Sequence, residues 1–203
     1  REHFWAGADV RALPAPPPPP PRQLLLRSSG AVPLALGALL GGGGGGRPRD
    51  LGVQDYGGGR KSLGLCPPAP SCVSTAEDPA DRAHYVPPWN FNPALGRGGP
   101  LGPPASRRQA MAELEEAVAA CRADGFSAKV VARRGDYLGA EFRGRWPLGG
   151  VDDVEFWFPP GEGSRVEFRS ASRAGGDDGG VNRRRVRALR QALEAKGWRS
   201  ERL

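Results

Sequence analysis

The sequence predicts an α+β fold: a four-stranded antiparallel meander with an N-terminal and a C-terminal helix packed on one face, preceded by a long low-complexity arm. Three observations predict it. Four short runs between residues 126 and 172 alternate apolar and polar side chains, the two-residue period of a strand. Short turn-rich links join consecutive runs, so neighbours must be antiparallel. Segments with three- and four-residue apolar spacing flank the set, one before it and one after.

The first helix begins at Ser106-Arg107-Arg108-Gln109, which has capping-box form, with Ser at the N-cap and Gln at N3. Met111, Leu114, Val118 and Cys121 then give one apolar face, ending at Asp124-Gly125. Residues 126–133 read as the first strand, with Phe126, Ala128, Val130 and Ala132 alternating against Ser127, Lys129, Val131 and Arg133. Gly135-Asp136 is a turn signal. Residues 137–143 form the second strand, with Leu138, Ala140 and Phe142 on one face. Residues 146–150 are a loop. Val154, Phe156 and Phe158 line the third strand, and Val166, Phe168 and Ser170 the fourth. Residues 182–196 read as a helix with Val186, Leu189 and Leu193 as its stripe, and Gly197 is placed to end it. Phe142, Val154, Phe156, Phe168, Leu114, Val118, Val186 and Leu189 should meet in one core. The opposite sheet face carries Lys129, Arg133, Glu141, Arg143, Asp153, Glu155, Glu167 and Arg169, set for cross-strand ion pairs.

Composition gives the domain plan. Glycine (31) and proline (22) make up about a quarter of the 203 residues, near the level of disordered sequence. They concentrate in residues 1–65, a low-complexity arm holding a six-proline run that favours polyproline II. Its apolar run, residues 31–40, has the length of a targeting segment and is too short for a confident membrane span. Residues 66–105 form an irregular Cys/Pro/aromatic lead-in, and residues 106–203 the compact α+β domain. Within the lead-in, HYVPPWNFNP, residues 84–93, supplies large aromatic area to pack across the domain or a partner. The net charge of +7 resembles a nucleic-acid signal, but residues 183–203 alone hold eight basic and two acidic residues. A basic helix face is more often solvated, and no nucleic-acid partner is expected.

Candidate chemistry is sparse. GGGRKS, residues 57–62, fails the phosphate-loop pattern because Arg60 stands where the second Gly belongs. No Ser or Cys lies beside His84 in a recognisable nucleophilic motif. Asp152, Asp153 and Glu155 invite a carboxylate site, but alternation sends Asp152 away from the other two. No cofactor and no metal is expected. The better candidate is an anion site of Ser172, Arg173, Asn182 and Arg183, where a Gly loop opens into a helix start beside guanidinium groups. Asp177 and Asp178 oppose it, and capping and ion pairing are their simpler roles. Cys66 and Cys72, separated by a proline-stiffened loop, suit a disulfide in an oxidising compartment or two free thiols in a reducing one. A bond there requires Cα atoms within about 7 Å.

Several blocks carry a family resemblance: Cys66-Pro67, Pro70 and Cys72-Val73-Ser74; Asp152-Asp153-Val154-Glu155-Phe156; and Arg169-Ser170-Ala171-Ser172-Arg173. Gly175, Asp178 and Gly180-Val181-Asn182-Arg183-Arg184-Arg185 complete the set. Together they resemble the family catalogued as domain of unknown function 1499, and HYVPPW looks like its plastid branch in plants and algae. The match departs at Gly176, Asp177 and Gly179. The resemblance implies a fold and a compartment, and supplies no activity.

The expected function is therefore a non-enzymatic accessory subunit of a chloroplast thylakoid membrane complex, at the lumen or the membrane surface. Its partners would be subunits of that photosynthetic complex, with peripheral membrane contact through the N-terminal arm. The alternative is a small anion- or lipid-binding module using the Ser172-Arg173 loop and the basic last helix.

Overall fold

In chain order the elements are β1 (Gln54–Asp55), β2 (Lys61–Ser62), β3 (Cys72–Ser74), β4 (Trp89–Asn90) and α1 (Arg107–Ala120). A 3-10 turn (Ala123–Gly125), β5 (Ser127–Arg134), β6 (Tyr137–Arg143), β7 (Val151–Trp157), β8 (Arg165–Ser172), α2 (Val181–Glu194) and β9 (Arg199–Ser200) follow. The computed structural model describes residues 46–94, 103–144 and 149–201. These belong to one compact unit, Leu39–Leu203; a second unit, Arg1–Ala38, lies outside the described residues. So do the proline run, the targeting-like apolar run and most of the loop at 146–150.

The fold is α+β and mostly antiparallel, with β5, β6, β7 and β8 paired in meander order. The sheet nevertheless has seven strands, not four. The outer edge of β8 would otherwise expose unpaired backbone groups. β3 pairs with its C-terminal half, β4 pairs with its N-terminal half, and β9 adds to β4. These additions are two or three residues long, too short to show a period.

Side-chain alternation puts Phe142, Val154, Phe156 and Phe168 on one face with Leu114 and Val118 of α1 and Val186 and Leu189 of α2. All eight predicted residues share one core cluster. The aromatic lead-in packs across this domain. Trp89 stacks on Phe168 with centroids 4.2 Å apart, and Phe91 lies 5.8 Å from both Phe158 and Trp198. Ser106 caps α1 by accepting from the Gln109 N–H at 3.2 Å. The reciprocal half of the capping box is replaced, since the Gln109 side chain donates to Glu113.

Two residues change face, Ala132 turning to the roof side opposite Gly139 and Arg133 to the helix side. β5 has a bulge between Val130 and Ala132, which shifts its pairing by one residue. Arg133 therefore sits opposite Leu138, on the helix side, and pairs with Glu115 of α1. The charged face itself is roofed rather than open. Residues 50–64 run across it, and Glu155, Arg169 and Asp153 are only 1%, 3% and 4% exposed.

Candidate functional site

The polar face is built on cross-strand register. Glu141 lies directly opposite Asp153, two acids side by side. Arg173 relieves the repulsion. Its Nε donates to Asp153 Oδ2 and its Nη2 to Asp153 Oδ1, both at 2.7 Å, and Nη2 also reaches Glu141 Oε1 at 2.5 Å. The Arg173 hydrogen bond holds the Glu141 carboxyl below its usual range despite burial. In the next row Glu155 faces Arg169, with Nη1 3.6 Å from Oε2, too far for a hydrogen bond. Glu155 Oε1 accepts from the Tyr137 hydroxyl at 2.7 Å and from the Gly52 N–H of the roof. Burial pushes the Glu155 carboxyl up, and burial beside Glu155 pushes the Tyr137 hydroxyl far above its usual value. Arg169 also donates to Asp50 at 2.9 Å, tying the roof to the sheet.

A second polar set lies on the helix side, inside the core. Arg185 is fully buried. Its Nη2 donates to Asp152 Oδ2 at 2.5 Å and its Nη1 to Asn182 Oδ1 at 2.7 Å. The guanidinium lies 4.6 Å from the Phe142 ring centroid and 4.8 Å from that of Phe126, in cation–π contact with both. Asn182 donates to the Ser71 carbonyl at 3.0 Å and to Asp178 at 2.8 Å, linking α2 to the lead-in. The sequence reading treats the basic run as a solvated face, whereas Arg185 is buried within it. The signal was nonetheless present, because Asn182, Arg185, Val186, Leu189 and Leu193 follow helical three-four spacing.

The four residues proposed for an anion site do not converge. Arg173 points to the polar face and is held between two acids. Asn182 is buried in the core network. The Arg183 guanidinium donates to the backbone carbonyls of Arg82 and Ala83. Ser172 lines a hollow of about 560 Å³ that is rich in acids, with Asp124, Asp152, Asp177 and Asp178 in its wall. The carboxylates also divide, Asp152 facing the core while Asp153 and Glu155 face the roof. Cys66 and Cys72 are disulfide-bonded, with Cα atoms 5.6 Å apart.

A different hollow lies beside α2, about 160 Å³ in volume. Its floor is Val86, Trp89, Phe168 and Val186, all buried. Arg183, Arg187 and Arg190 stand around it, with Ser200 at one side, and among the described residues no carboxylate lines it. The sequence showed the arginines as a basic helix face but gave no sign of an apolar floor beneath them.

A family model described as "Protein of unknown function (DUF1499)" matches residues 62–193. The chain belongs to the DUF1499 family. No curated protein and no solved structure matches it. The DUF1499 match starts in β2 and ends within α2, so it takes in the lead-in as well as the meander. Residues that carried the DUF1499 resemblance bind one another: Asp152 with Arg185, Asp153 with Arg173, Ser170 with Asn182, and Cys66 with Cys72. In this DUF1499 chain the motif therefore joins strand, helix and lead-in.

Proposed function

We propose that this DUF1499 chain is a non-enzymatic accessory subunit that acts by docking, and that it belongs to the plastid branch and serves a chloroplast thylakoid membrane complex. One observation carries the docking role. Most of the motif's charged residues are engaged in internal pairs, whereas Arg183, Arg187 and Arg190 of α2 surround an apolar hollow at the surface. The Cys66–Cys72 bond suits an oxidising compartment, which favours the lumenal side. HYVPPW supports the plastid assignment through resemblance alone. Fractionation of solubilised thylakoids tests it: the protein should co-migrate with a membrane complex and be released by Arg187→Glu with Arg190→Glu. Recovery solely in the free soluble fraction would refute it.

The hollow beside α2 also favours a second reading, a small anion- or lipid-binding module. Here the basic helix supplies the cations and the Ser172-Arg173 loop does not, because Arg173 is already held by Asp153 and Glu141. A ligand-dependent rise in melting temperature across a panel of phosphorylated metabolites and anionic lipids is the expected result.

A further inference from the structure

We infer that the hollow beside α2 binds a small amphiphilic anion, a single aromatic or branched alkyl group bearing a carboxylate or phosphate. The inference deepens the second reading above and is independent of the thylakoid assignment. It rests on three features of one place.

The first is size. A cavity of about 150 Å³ is enough to hold benzene, and this hollow measures about 160 Å³. One ring fits within it. The second is the floor. Trp89 and Phe168 are stacked and almost fully buried, and Val186 and Val86 complete an apolar surface suited to a ring.

The third is a set of donors without acceptors. Ser200 Oγ and Arg190 Nε are buried and have no hydrogen-bond partner among the described residues. Arg190 forms an i,i+4 ion pair with Glu194 at 3.8 Å, a distance too long for a hydrogen bond. Arg187 makes no ion pair or hydrogen bond to another described residue. A buried donor left unpaired is costly, and an anionic oxygen supplies the acceptor it lacks. Among the described residues no carboxylate lines the hollow, and Glu194, paired with Arg190, lies outside its lining. Guanidinium groups match carboxylate and phosphate oxygens in charge and geometry. The apolar floor argues against a bare inorganic anion.

The test is an NMR titration of the ¹⁵N-labelled full chain, following the Trp89 indole and the Ser200 amide. Phenylacetate or phenyl phosphate should give saturable shifts. Phenylacetamide, which keeps the ring but not the charge, should bind at least tenfold more weakly, as should acetate and inorganic phosphate. Arg187→Gln with Arg190→Gln should weaken phenylacetate or phenyl phosphate at least tenfold with the remaining spectrum unchanged. Ser200→Ala, a smaller change, should weaken it several-fold. The proposal is overturned by the absence of saturable shifts, by equal binding of the neutral amide, or by unaltered affinity in the double arginine variant. Binding to phosphatidylglycerol vesicles without binding to either soluble anion would also overturn it, and would assign the arginines to a membrane surface. Failure of the thylakoid fractionation leaves every one of these outcomes unchanged.

Discussion

Arg185 occupies the least expected position of any charged side chain in the domain, with no exposure and two aromatic rings around it. Its partner Asp152 is 3% exposed. Breaking a buried pair leaves an uncompensated charge, so Arg185→Met alone should destabilise by about 3–5 kcal/mol. Arg185→Met combined with Asp152→Leu should cost less than the sum of the single changes, measured by urea unfolding. Glu141 and Glu155 give a second prediction, with opposite pH signs. The folded-state pKa of Glu141 lies below its usual 4.5, so its contribution is present above that value and lost as pH falls through the lowered one. Burial raises that of Glu155, so its contribution is fully present below 4.5 and lost as pH rises through the raised value. Relative to wild type, Glu141→Gln should therefore be most costly at neutral pH, and Glu155→Gln least costly there. Parallel pH profiles for the two variants would contradict these assignments.

At the scale of elements, the four-strand meander and the two helices were legible because their apolar periods run through contiguous residues. Phe156 sits opposite both Leu138 and Phe168 at the centre of the sheet. Phe156→Ala should cost about 3–5 kcal/mol, enough to unfold a marginal domain. β3, β4 and β9 were not legible, since strands of two or three residues carry no readable period; β3 and β4 are selected by the free edge of β8 and β9 by that of β4. The bulge in β5 was equally hidden. It put Arg133 against Glu115, whereas strict alternation put Arg133 on the other face. The lead-in's disulfide closes a loop already stiffened by proline. Cys66→Ser with Cys72→Ser should lower stability toward the low end of about 2–4 kcal/mol, seen as a fall in Tm that reduction of the wild type reproduces.

Across the whole molecule, the roof and the sheet act as one polar layer. Gly64 packs so close to Arg169 that an added Cβ would lie 2.5 Å from Nη1. Gly64→Val should push the roof away, and faster hydrogen exchange in residues 50–64 with little change in the core strands would report it. The sequence by itself determined the α+β class, the order of the main elements and the eight core residues. Each of these is written in local spacing, where neighbours along the chain share a face. The tertiary structure alone decided which charges meet. Asp50 finds Arg169 across 119 residues and Asp152 finds Arg185 across 33. It also decided that the proposed anion-site residues part company, Arg183 alone joining Arg187 and Arg190 around an apolar hollow. Nothing in the chain's periodicity encodes such pairings, because they arise from strand register, edge coverage and the bulge once the sheet has formed.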